Sequence, residues 1–264
     1  MKLKPVKLKR FVTVCAASTV MTMAVPQVMA ADTFNATQTK SIQSIIHDYL
    51  VKNPEVLVEA SQNLQKKQQD AMAKQAKAAI VEHADQLFSS NMTTVGNPRG
   101  DVTLVEFFDY QCIHCKKMSP VVSDLIQKDA NLRVIYKEFP IFGKSSEMAS
   151  KAALAAAAQG KYQAMHDALL SQDKSLNNDI INTVAKSIGL NMTKFDADMK
   201  SKSVNDQLDA NRQLAEQLRL MGTPAFIVAS TPAGKFKSGS QPVFIPGAIS
   251  LASLQDLIKK AASN

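Results

Sequence analysis

The 264-residue chain carries 31 Lys and Arg against 23 Asp and Glu, a formal charge of +8, with 45% hydrophobic residues, three cysteines and no tryptophan. The basic balance alone would suggest a nucleic-acid partner, but five of the positive charges fall within the first ten residues. The rest of the chain is left with about +3, and nucleic-acid binding loses its main support. No phosphate-cradling glycine loop appears either.

Those five charges are Lys2, Lys4, Lys7, Lys9 and Arg10. They precede an apolar run from Phe11 to Val25 and then Val28-Met29-Ala30. Together these are the three parts of a secretory signal peptide covering residues 1–30, with cleavage expected after Ala30. The run is shorter than the ~20 residues a membrane span requires, which argues against a retained anchor. Cys15 leaves with the signal, so Cys112 and Cys115 are the cysteines of the mature chain. A lysine-rich signal without acidic residues points to a bacterial periplasm, an oxidising compartment where a reactive disulfide persists.

Residues 31–95 read as a helical N-terminal extension. Ile42, Ile45, Ile46, Tyr49 and Leu50 recur at three- and four-residue spacing, and Asn53-Pro54 ends that helix and starts the next. The second helix is Gln-, Lys- and Ala-rich from Gln62 to Ala79 and becomes apolar again at Ile80, Val81, Leu87 and Phe88. So polar a helix has no core of its own; it is either an exposed linker between a small helical module and the main domain or a surface that pairs with a second copy, and a homodimer is the favoured reading over a solvated helix lying along the domain.

A boundary loop from Ser89 to Asp101 contains Gly96-Asn97-Pro98-Arg99-Gly100. The second domain, residues 96–264, follows. Val102 to Phe108 reads as a strand, Cys112 to about Lys128 as a helix that Pro120 kinks, and Leu132 to Phe139 as a second strand, which makes a β-α-β unit. From about 145 to 220 the chain reads as helix: Met148 to Ala158, Tyr162 to Leu170, Ile180 to Ile188 and Val204 to Leu218. Strand character returns at Ala225 to Val228 and Val243 to Ile245, and a last helix runs from Ser250 to Ala262. The fold class is α/β, a small sheet with a helical subdomain inserted between its halves.

Cys112-Ile113-His114-Cys115 follows the first strand directly. If Cys112 lies at the mouth of a helix and Cys115 in its first turn, the two sulfurs are close enough to bridge, and the helix's unpaired N–H groups face the Cys112 sulfur. Such donors, with His114, Lys116 and Lys117 nearby, lower a thiol pKa from about 8.5 to between ~3.5 and ~7. Zinc is the competing reading, but it needs four ligands, and His47, His83 and His166 are scattered. No metal is expected. An inert structural disulfide is the other alternative.

The segment Val105-Glu106-Phe107-Phe108-Asp109-Tyr110-Gln111-Cys112-Ile113-His114-Cys115, with the distant Gly222-Thr223-Pro224-Ala225-Phe226, resembles the DsbA-like branch of the thioredoxin superfamily, and especially its N-terminally extended, Com1-like members. The resemblance covers about Val95 to Asn264 and implies a thioredoxin fold with the helical insertion. It also implies roles. Cys112 is the exposed nucleophile, Cys115 the buried resolving partner, and His114 a stabiliser of the first thiolate. Pro224 is a cis-proline facing the disulfide, and Thr223 contacts the substrate backbone. Glu106 matches a buried proton acceptor for the resolving thiol; read from the residues alone, an edge-exposed strand carboxylate is as good an account. Ile113 departs from the proline common between the cysteines of the strongest oxidases, which leaves the redox potential open.

The implied chemistry is thiol–disulfide exchange with no cofactor beyond the Cys112–Cys115 disulfide. Its implied partners are unfolded or misfolded exported proteins with cysteines and a membrane redox partner of the DsbB or DsbD type. Oxidase and isomerase share every atom of such a centre. His114 and the inserted helices lean toward oxidation; Thr223 and a dimer lean toward isomerisation. A secreted chaperone-like binding module with a merely structural disulfide is the reading from a different class.

Overall fold

The computed structural model describes residues 34–89, 92–237 and 239–263. The expected signal at 1–30 lies outside them. The chain divides into two compact units between Ser61 and Gln62.

The first unit holds helix α1 (Ala36–Lys52) and the opening of α2 (Glu55–Glu82). Asn35 starts α1 by accepting the Gln38 N–H, while the Gln38 side chain accepts the Asn35 N–H, a reciprocal cap at 2.9 Å each way. The helix stops at Asn53, whose N–H still reaches Tyr49 O, because Pro54 disfavours helical geometry in the residue before it. No residue of α1 is buried. Ile42, Ile45, Ile46 and Tyr49 share one face and stand exposed.

The second unit takes the rest of α2 and then α3 (Ala84–Phe88), β1 (Thr94–Gly96), β2 (Val102–Phe108), α4 (Ile113–Lys128) and β3 (Leu132–Glu138). Five helices follow: α5 (Lys144–Ala157), α6 (Tyr162–Leu170), α7 (Asn178–Ser187), α8 (Met192–Asp198) and α9 (Lys202–Gln217). The chain then adds β4 (Ala225–Ser230), β5 (Val243–Pro246) and α10 (Leu251–Ala262). The sheet order is β1-β3-β2-β4-β5, with β2 and β3 parallel and every other pair antiparallel. A parallel pair needs a crossover, which α4 supplies. This is the α/β arrangement expected from the resemblance, with α5 to α9 inserted between β3 and β4.

Three elements depart from the sequence reading. β1 lies inside the expected boundary loop: Thr94 and Val95 pair with Ile135 and Val134 of β3, a strand too short to show a period of two. The second helix breaks at His83, and α3 packs Leu87 and Phe88 into the core with Ile80. α8 forms as a separate helix capped by Asn191, whose side chain accepts the Lys194 N–H.

β2 sits at the centre of the sheet and is buried on both faces. Successive residues point to opposite sides. Leu104 and Phe108 join a core with Cys112, Cys115 and Val122 of α4, the alanines of α5 and Leu254 of α10; Val105 and Phe107 join a second core with α3, Leu214 of α9 and Ile227 of β4. Glu106 therefore points with Leu104 and Phe108 toward the face that α4 covers. Among the described residues, no helix is long and apolar enough to cross a membrane.

Candidate active site

The turn between β2 and α4 sets the cysteines. The Asp109 carboxylate accepts the Gln111 N–H at 2.7 Å, an Asx turn, and the Asp109 carbonyl accepts the Cys112 N–H at 3.1 Å. Cys112 is then the N-cap of α4, with extended φ and ψ of −73° and 116°, and its carbonyl accepts the Lys116 N–H. The first N–H groups of a helix have no partner within it, so those after Cys112 are left for its sulfur. Cys115, one turn in, faces the core. The structure holds both as unbridged thiols. α4 continues through Pro120 to Lys128.

Cys112 Sγ donates to the Thr223 carbonyl at 3.2 Å across 111 residues of sequence. The Thr223-Pro224 peptide is cis. With that strand end against it, Cys112 is 3% exposed and Cys115 0%. The nucleophile is thus recessed rather than exposed as the resemblance implies, although the next residue, Ile113, is 58% exposed.

The two thiols are driven apart. The Cys112 pKa falls to about 5, first because the Cys115 thiol donates to its sulfur; the Thr223 hydroxyl and the Cys115 and His114 amides add to this against the cost of burial. The Thr223 hydroxyl is buried with no hydrogen-bond partner among the described residues. Cys115 is pushed far up by donating that hydrogen bond, by burial, and by the charge of Glu106. Glu106 is 3% exposed between Tyr136 of β3 and Phe226 of β4. Burial, and then the Cys112 charge, lift its carboxyl to about 8. An edge-exposed carboxylate is thereby ruled out. The His114 group that faces the Cys112 sulfur is its main-chain N–H; its side chain is exposed.

The structure therefore brings Cys112, Cys115, Thr223 and Pro224 together, with the charge of Glu106 acting on Cys115. Two further features were not read from the sequence. Asp109 is fully buried and holds the active-site turn. Behind it, Glu138 Oε1 accepts from the hydroxyls of Tyr110 at 3.1 Å and Tyr162 at 2.8 Å, and Tyr110 Oη lies 3.3 Å from His166 Nδ1. The one sequence signal for Asp109 was an Asp just after a strand and before a helix start.

A reactive cysteine at a helix start, a buried partner one turn on, a carboxylic acid on the strand beneath and a cis-proline facing them define a thiol–disulfide redox centre. The DSBA-like thioredoxin domain family matches residues 103–259, and the chain belongs to that family of thiol:disulfide oxidoreductases. The copper resistance protein ScsC N-terminal domain matches residues 38–71. The thiol:disulfide interchange protein DsbA of Bordetella parapertussis is 30% identical over 158 residues, covering 58% of this chain and 75% of that protein. The structure of BcfH from Salmonella enterica Typhimurium superposes with a TM-score of 0.73 at 31% identity, over 86% of this chain and 96% of the other. Proteus mirabilis ScsC gives 0.61 at 28% identity, over 88% and 98%. The Na(+)/H(+) antiporter NhaA 3 of Salinispora tropica shares 28% identity over 137 residues, which is 51% of this chain; the chain spans only 21% of that protein's length.

Proposed function

We propose that this chain is a periplasmic thiol:disulfide oxidoreductase that forms disulfides in exported proteins, with isomerisation as the second direction open to the same site. The observation that carries the reading is the Cys112 sulfur at the start of α4, 3.2 Å from the Thr223 carbonyl beside a cis-proline, where the Cys115 thiol and the helix amides draw its pKa down to about 5.

In the oxidising direction, a substrate thiolate attacks Cys112 Sγ and breaks the Cys112–Cys115 bond. Cys115 leaves with the electron pair and takes a proton, for which Glu106 is protonated below about pH 8. A second substrate thiolate then attacks the substrate's own sulfur in the mixed disulfide and expels Cys112. The substrate has lost two protons and two electrons, and the pair has gained the electrons. Because a low-pKa thiol leaves faster, the release step favours an oxidised product. A membrane partner of the DsbB type would reoxidise the pair. A DsbD-type partner would keep it reduced, and Cys112 would then attack wrong substrate disulfides.

The exposed apolar face of α1 favours self-association of copies as a homodimer, and isomerisation gains from two sites in one assembly. Trapping tests the function: the full chain carrying Cys115→Ala, exported in cells, should accumulate mixed disulfides through Cys112. Capture of no protein, with client binding that persists after both cysteines are removed, would favour a binding module. A pair resting oxidised in cells marks an oxidase, and one resting reduced marks an isomerase.

A further inference from the structure

The redox reading leaves unused one buried ionisable side chain next to the pair. Asp109 is 0% exposed, and its two oxygens accept four hydrogen bonds. Oδ1 accepts the Gln111 N–H and the Ser146 hydroxyl, each at 2.7 Å; Oδ2 accepts the N–H groups of Ile141 at 2.7 Å and Phe142 at 3.0 Å. The donors come from three segments, namely the turn into α4, the loop after β3 and the first turn of α5. The main chain of the same residue reaches both cysteines. Its carbonyl accepts the Cys112 N–H at 3.1 Å, and its N–H faces the Cys115 sulfur.

A carboxylate removed from water this completely persists only when its lone pairs are used, and here they are. An apolar side chain would leave two loop amides and the turn amide of Gln111 without partners. The turn would then be free to tilt relative to α5 and the loop, and with it the start of α4. The donors that favour the Cys112 thiolate act over one hydrogen-bond length and weaken steeply when misaligned.

We propose that Asp109 is a positioning residue of the redox centre, its carboxylate pinning the turn 109–112 to the 139–143 loop and to α5 so that Cys112 stays aligned with the Cys115 thiol and the amides behind it. The inference rests on the redox reading of the pair. It differs from a structural role in one measurable way: loss of the clamp moves the chemistry of Cys112 and not only the stability of the fold.

The test uses the reduced full mature chain as wild type, Asp109→Ala, Asp109→Asn, and Tyr162→Phe as a control that loses a buried hydrogen bond away from the clamp. Alkylation of Cys112 by iodoacetamide is followed against pH, and thermal unfolding is recorded alongside. Asp109→Ala should raise the apparent Cys112 pKa by about one unit or more, cutting the rate near pH 5 roughly fivefold. Asp109→Asn should shift it less, because its remaining oxygen still serves the two loop amides. Tyr162→Phe should lower the melting temperature and keep the wild-type profile. If Asp109→Ala does not fold, Asp109→Asn carries the test with the same two outcomes. Folded Asp109 variants that melt earlier yet keep the wild-type profile overturn this inference alone. A wild-type Cys112 that titrates as an ordinary thiol overturns the redox reading and this inference with it.

Discussion

Two cysteines three positions apart acquire opposite characters from one turn of backbone. Cys112 is recessed at the start of α4, where unpaired amides, the Thr223 hydroxyl and the Cys115 thiol all favour its anion; Cys115 is inside the helix, over the strand that carries Glu106. A thiol with a pKa near 5 is ionised at neutral pH, and its neighbour is not. The proton that Cys115 gains and loses needs a nearby group, and Glu106 titrates near 8. Glu106→Gln should therefore slow resolution of a Cys112 mixed disulfide by about tenfold or more at neutral pH. Alkylation of Cys112 should not slow with it. Stopped-flow release of a model thiol separates the two rates, and equal loss of both would remove Glu106 from the proton path. At this scale the cysteine pair was legible from residue type and spacing, whereas Glu106, Thr223 and Pro224 came only with the family resemblance, because neither the burial of a strand carboxylate nor the approach of a residue 111 positions away is written in local pattern. Asp109 came with neither, since its four donors meet only once β2, the 139–143 loop and α5 have packed.

At the scale of elements, the strands and most helices followed from periodicity. β1 escaped because three residues cannot show alternation, and α3 because its five residues are fixed by the sheet rather than by their own pattern. There Lys137 Nζ donates to Gln86 O at 2.8 Å and Arg133 donates to Phe88 O at 2.6 Å, so two buried cations of β3 satisfy carbonyls at the end of α3. The packing of β3 on α5 and α6 holds another buried acid, Glu138, lifted by burial to about 8 despite the Ser150 side chain nearby and the hydrogen bonds from Tyr162 and Tyr110. A carboxyl raised in the fold stabilises the native state fully below its unfolded value near 4.5, and that contribution is lost as pH rises through about 8. The oxidised wild type should thus lose stability between about pH 4.5 and 8, by on the order of 4 kcal/mol from this group. Glu138→Gln, which cannot ionise, should make that limb shallower in urea unfolding by its own share, leaving the share of Glu106, which burial raises over the same range. A slope unchanged by the substitution would mean that Glu138 ionises in the fold as it does in water.

The whole molecule pairs a unit that carries the chemistry with one that carries no buried residue in its first helix. α1 keeps its cap and its apolar stripe yet leaves Ile45 67% exposed and Tyr49 56% exposed. Apolar residues at helical spacing on an open face are the usual mark of association. The mature chain should sediment at more than one copy, and Ile45→Glu with Tyr49→Glu should bring it to a single copy while the Cys112 pKa stays near 5. A wild-type chain that sediments as one copy would remove the homodimer. The central claim is narrower and belongs to the pair. Its most direct test is ultraviolet titration of thiolate in the reduced mature protein, with Cys112→Ala as reference. One thiolate should appear with a midpoint near pH 5 and vanish in the variant; a midpoint near 8 or above for Cys112 would contradict the account.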